Sequence, residues 1–223
     1  MLKDIKAVIF DLDGTLVDSM WVWVNIDTEY MAERNLVMPP NFKEEIEGMS
    51  FEQTAVYFKE TFKLSDSLEV IKDTWNSMAV DKYRNEVPFK TGAIEFIKHL
   101  KANNIKIGIA TANHRSLVLE VLKAYNVLED FDSIITSCEV NVSKPAPDVY
   151  LAAAKQMSIE PKDCIVFEDV PNGIKGGKAA GMKTCAVEDD FTKDLVDVKK
   201  ELANYYIKDY KELLEGNFEV CNV

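Results

Sequence analysis

Ile5-Lys6-Ala7-Val8-Ile9-Phe10-Asp11-Leu12-Asp13-Gly14-Thr15-Leu16 is the stretch that decides the fold. Residues 5–10 are almost continuously apolar and too few for a helix, which predicts a strand buried on both faces. At its carboxyl end stand two carboxylates one residue apart, followed by a glycine. Taken alone, the stretch reads equally well as a polar strand end running into an Asp-Gly turn or as the ligand end of a buried parallel strand.

Four more short apolar runs, at 105–110, 133–136, 164–167 and 184–187, repeat the pattern downstream. Between them the apolar residues fall at helical spacing: Ile94, Ile97 and Leu100; Leu117, Val121 and Leu122; Val149, Ala152, Ala153 and Met157. Strand alternating with helix predicts a doubly wound α/β domain with a parallel sheet. Residues 19–84 break the alternation. Trp23, Ile26 and Tyr30, then Ala55, Phe58 and Phe62, then Ile71, Trp75 and Met78 follow helix spacing, which predicts an inserted bundle of about four helices. The expected division is a core of residues 1–18 and 87–223 with a helical cap of 19–86. The expected hinges are the stretch after Gly14 and residues 85–92, which hold Pro88 and Gly92.

The 223 residues are 47% hydrophobic and 29% charged, ordinary globular usage that excludes a disordered or fibrous chain. The 38 acidic residues outnumber 26 basic ones, for a net charge of -12. That field repels nucleic acid and anionic membrane surfaces, so neither is an expected partner. The apolar run near the amino terminus is too short for a signal-peptide core or a membrane span, which predicts a cytoplasmic protein. Cys138, Cys164, Cys185 and Cys221 form no C-x-x-C pair, and reduced structural thiols are expected.

The other strand ends resolve the ambiguity of the first. Thr111-Ala112-Asn113 ends the second, Lys144-Pro145-Ala146-Pro147-Asp148 follows the third, and Phe167-Glu168-Asp169 ends the fourth. Open parallel sheets bind ligands at this edge. Asp11, Asp13, Glu168 and Asp169 against the single Lys144 would repel strongly in a partly dry cleft unless a cation joined them. Mg²⁺ is the expected ion, because it takes oxygen ligands and keeps positions open for phosphate. With it, Asp11 can attack phosphorus to form an aspartyl phosphate, and Asp13 can protonate the leaving oxygen and then activate water. Thr111 and Lys144 would hold the phosphoryl oxygens.

These residues resemble the haloacid dehalogenase superfamily of phosphotransferases, in the branch with a helical cap after the first strand that includes β-phosphoglucomutase and many sugar-phosphate phosphatases. The matching motifs are Asp11-x-Asp13-Gly14-Thr15, Thr111, Lys144 and Glu168-Asp169, followed by Asn172-Gly173-Ile174 and Ala180-Gly181. The resemblance implies a Rossmann-like core with Asp11 as nucleophile, Asp13 as acid/base whose backbone carbonyl ligates the metal, and Asp169 as a further ligand. It also implies a cap loop that selects substrate, here Glu47-Gly48-Met49-Ser50-Phe51. β-Phosphoglucomutase carries basic residues where this chain has Glu47 and Phe51, and losing two charged contacts to a second phosphate would cost several kcal/mol.

The expected enzyme is therefore a phosphatase of a small phosphorylated metabolite, with a phosphosugar mutase as the alternative and a monomer or weak dimer as the assembly. Gly48, Phe51, Trp23 and Asn113 are the candidate substrate contacts, although Trp23 and Trp21 could instead pack the cap. His99 and His114 read as surface or capping residues. Glu188-Asp189-Asp190 reads as a solvated loop. A signalling receiver module shares strand-end carboxylates and a lysine, but it carries no helical insertion behind its first strand.

Overall fold

The computed structural model describes residues 1–46, Met49 and residues 51–222. The chain divides into two compact units, Met1–Met20 with Val87–Val223, and Trp21–Glu86.

In the first unit seven strands form one sheet among the described residues: β1 Ala7–Phe10, β2 Lys106–Thr111, β3 Ser133–Thr136, β4 Cys164–Glu168, β5 Lys183–Val187, β6 Tyr205–Ile207 and β7 Glu219–Val220. Their order is β3-β2-β1-β4-β5-β6-β7, with β1 to β6 parallel and β7 antiparallel to β6. The parallel doubly wound class read from the apolar runs is the one observed. The last two strands were not predicted: β6 has three residues and β7 two exposed ones, too short for a buried run to stand out.

The chain runs outward from β1 through β2 to β3 and then returns to the other side of β1 as β4, so direction reverses between β1 and β4. Phe10 pairs with Phe167, and the Asp11 N–H donates to the Phe167 carbonyl at 3.0 Å. Such a reversal opens a crevice at the carboxyl ends of the two strands, the preferred ligand position of open α/β sheets.

Side-chain alternation assigns the two faces of the sheet. Ala7, Ile9, Cys164 and Val166 pack against Val149, Tyr150, Ala153 and Met157. Phe10 and Phe167 turn the other way, into a cluster with Phe96 and Tyr210 whose ring centroids lie 5.2–6.1 Å apart.

The helical unit consists of α1 Val22–Glu33, α2 Phe42–Ile46, α3 Phe51–Thr61 and α4 Leu68–Asn85. Its interior is aromatic: Phe58 meets Tyr30 at 5.9 Å, Phe42 at 5.5 Å and Trp75 at 4.8 Å between centroids, in edge-on arrangements that add to simple area burial. Helices of the first unit are α5 Ala93–Ala102, α6 Arg115–Ala124, α7 Ser137–Val140, α8 Asp148–Met157, α9 Pro171–Ala179, α10 Val196–Leu202 and α11 Tyr210–Leu214. The two chain crossings of this unit are tied together, since Asp18 N donates to Pro88 O at 2.9 Å and Lys90 N to Leu16 O at 3.0 Å.

Candidate active site

Period-two alternation places Asp11 and Glu168 on the α8 side of the sheet, in line with Ile9 and Val166. Lys144, just before α8, donates from Nζ to Asp11 Oδ1 at 2.5 Å and to Glu168 Oε1 at 2.6 Å. Tyr150 of α8 donates its hydroxyl to the same Glu168 Oε1 at 2.6 Å and lies 3.1 Å from Gly173 O. Tyr150 lies outside the stripe of Val149, Ala152, Ala153 and Met157 and gave no signal in the sequence; its polar partner depends on how α8 packs.

Asp169, at the end of β4, accepts a hydrogen bond from Thr15 Oγ1 at 3.0 Å, and the Tyr210 hydroxyl donates to the Thr15 carbonyl at 3.1 Å. Two glycines make room for these carboxylates. A Cβ on Gly14, whose φ is +74°, would stand 2.5 Å from Asp169 Oδ2, and one on Gly173 would stand 2.0 Å from the Glu168 carboxyl carbon.

The result is a buried group of three carboxylates, Asp11, Glu168 and Asp169, that can each offer an oxygen within 4.8 Å of the others. Glu168 Oε2 and Asp169 Oδ2 are buried with no hydrogen-bond partner. An all-oxygen donor set with bare buried lone pairs fits a hard divalent cation, since leaving them unmet costs about 1–3 kcal/mol each, more for charged groups. Burial pushes the Asp11 carboxyl well above the usual range. Lys144 opposes that shift, while Glu168, Asp169 and Asp13 add to it. Burial, then the charge of Glu168, raises Asp169 to about 7, against the bond from Thr15. For Lys144, burial alone would lower the value, but Asp11 and Glu168 outweigh it and hold the ammonium above its ordinary range.

Asp13 is placed differently. Its carboxylate lies outside the buried group: Oδ1 accepts from Ser19 Oγ at 2.6 Å and Oδ2 from Asn113 Nδ2 at 2.8 Å. The metal role implied for Asp13 would thus fall to its backbone carbonyl. Thr111 is buried at the end of β2, where its Oγ1 accepts from Asn113 N at 3.0 Å. Asn113, a candidate substrate contact, links the loops after β1 and β2 through its bond to Asp13. Ser19 gave no signal in the sequence beyond its place in the loop after β1.

In the helical unit Trp23 and Phe51 stack edge-on at 5.8 Å, and Phe51 meets Trp75 at 5.6 Å. Phe51 begins α3 and is half-buried. Glu47 and Gly48, the other expected selectivity positions, lie outside the described residues. His114 is the N-cap residue of α6, and the His99 ring stacks on Phe96 at 6.5 Å. The run at 188–190 is not a solvated loop, because Asp189 is buried and paired with Lys90 at 2.6 Å.

The model of the haloacid dehalogenase-like hydrolases matches residues 8–187. Among curated relatives, (DL)-glycerol-3-phosphatase 2 of Arabidopsis thaliana is 33% identical over 193 residues, covering 83% of this chain and 80% of the relative. Hexitol phosphatase B of Escherichia coli K12 is 26% identical over 188 residues, covering 83% and 84%. Among solved structures, the β-phosphoglucomutase of Clostridium difficile superposes with a TM-score of 0.70 at 23% identity over 94% of this chain and 93% of that one, a likeness that shows the fold alone.

Proposed function

The chain belongs to the haloacid dehalogenase-like hydrolase family and acts on phosphate monoesters, and we propose that it is a Mg²⁺-dependent phosphatase of a small sugar- or polyol-phosphate-like metabolite. The observation that carries this reading is the buried carboxylate group at the β1/β4 reversal, with two bare oxygens and a lysine already bridging it.

Asp11, Glu168 and Asp169 would hold the metal, with the Asp13 carbonyl. When bound, the ion supplies positive charge that keeps these carboxylates ionised and screens an incoming phosphate. In the first half-reaction an Asp11 oxygen attacks phosphorus and the bond to the leaving oxygen breaks, while Asp13 gives that oxygen a proton. In the second, Asp13 takes a proton from water, the water oxygen attacks phosphorus, and the acyl phosphate opens to inorganic phosphate and free Asp11. Lys144 and Thr111 hold the non-bridging oxygens. Asn113 and Ser19 orient Asp13, and the helical unit serves as the cap that selects the substrate.

No helix among the described residues is long and apolar enough to cross a membrane, and Cys138, Cys164, Cys185 and Cys221 are free thiols. A cytoplasmic monomer or weak dimer is the setting we propose. Phosphate release from a panel of sugar, polyol and nucleotide phosphates in Mg²⁺ tests the reading. Turnover of polyol or sugar phosphates is expected, and no release from any ester would overturn it.

A further inference from the structure

Lys199, on α10, has a side chain with no exposure to solvent. Its Nζ donates to the Val187 carbonyl at 3.1 Å and to Thr192 Oγ1 at 3.0 Å, both neutral acceptors. A buried ammonium is costly unless negative charge stands nearby. The strand register says where that charge is. Glu168 of β4 pairs with Ala186 of β5, so the next residues along, Asp169 and Val187, lie side by side at the carboxyl ends of strands about 4.8 Å apart. Lys199 is therefore seated on the backbone next to Asp169.

A second buried charge adjoins it. Asp189 accepts from Lys90 Nζ at 2.6 Å and, through Oδ1, from Phe191 N at 2.9 Å, and its carbonyl accepts from Thr192 N at 3.1 Å. Lys90 and Lys199 thus share the neighbourhood of the Asp189 carboxylate, with Glu188 and Asp169 as the other negative charges around Lys199. Burial pulls the Lys199 ammonium below its ordinary value, while Asp169, Asp189 and Glu188 pull it back up.

We propose that Lys199 is a positioning residue of the active site, a resident cation behind Asp169 that offsets part of the carboxylate charge and so sets the balance between metal and phosphate binding. This rests on the metal-site reading above. It differs from a packing role in the sign of its effects: loss of the charge makes the site more negative, which favours a divalent cation and disfavours an anion. Simple loosening would weaken both.

The test is titration calorimetry of wild-type, Lys199→Met and Asp189→Asn proteins, first with MgCl₂ alone and then with inorganic phosphate in saturating Mg²⁺, with circular dichroism to establish folding. Lys199→Met is expected to bind Mg²⁺ roughly 3- to 30-fold more tightly and phosphate more weakly by a similar factor. Asp189→Asn removes one negative charge beside the two lysines, and opposite shifts are expected. If Lys199→Met does not fold, the sign of the Asp189→Asn shifts decides. Wild-type binding with unchanged affinities in the folded variants, or weakening of both ligands together, overturns the inference alone. A wild-type chain that binds no divalent cation overturns the metal-site reading and this inference with it.

Discussion

The Tyr150 hydroxyl donates to Glu168 Oε1 at 2.6 Å, while Oε2 of the same carboxylate is buried without a partner. One oxygen is thus anchored by the helix and the other is left for a ligand. Tyr150→Phe keeps the ring and removes the anchor. It should cost about 1.5–3 kcal/mol of stability in chemical unfolding, the worth of a hydrogen bond to a charged group. Gly173→Ala drives a Cβ into the carboxylate itself and should lower turnover at least tenfold in a folded protein. Full activity in Gly173→Ala would show that the Glu168 position is unimportant.

Asp11→Asn preserves shape but removes the proposed nucleophile and one proposed metal ligand. Hydrolysis of an aryl phosphate should fall more than about 100-fold, with an unchanged circular dichroism spectrum. Residual turnover above a few per cent of wild type would take the nucleophile role from Asp11.

Chelation should stop phosphate release and Mg²⁺ should restore it. Ca²⁺ should inhibit, because its larger and looser coordination misplaces the attacking carboxylate. Undiminished activity in chelator, with no metal detected by elemental analysis, would remove the mechanism altogether.

Asp27 of α1 offers a test of pH dependence away from the carboxylate group. Burial raises it from 3.8 to about 7. The folded state therefore binds its proton more tightly than the unfolded chain does. Its contribution to stability is full below pH 4 and is lost as pH rises through about 7. Asp27→Asn should remove that loss and stabilise the protein at pH 8 by about 1–2 kcal/mol, after allowance for solvent screening. A variant whose melting temperature tracks wild type from pH 5 to 8 would contradict this.

Phe51 is stacked between Trp23 and Trp75, so this position presents an aromatic edge rather than a cation. β-Glucose 1-phosphate, primed with glucose bisphosphate, should give inorganic phosphate or no reaction, and very little glucose 6-phosphate. A coupled assay run beside phosphate release measures both channels. Glucose 6-phosphate forming many times faster would replace the phosphatase reading with a mutase.

Much of this protein was determined by local sequence. Buried parallel strands must be continuously apolar, so β1 to β5 stood out from the surrounding helices, and polar residues ending such strands marked the ligand edge of the sheet. Asp11, Glu168 and Asp169 were legible for that reason. Tertiary structure alone decided their partners. Tyr150 and Ile174 both look like core positions, yet packing aims one hydroxyl at Glu168 and leaves the other side chain in an apolar cluster. Asp189 looked like part of a solvated acidic run until the fold enclosed it with Lys90, and nothing in the sequence marked Lys199 for burial. Periodicity reports which side of an element faces inward. Hydrogen bonds and buried charge pairs join residues far apart in the chain, and those distances exist only once the sheet has closed around β1 and β4.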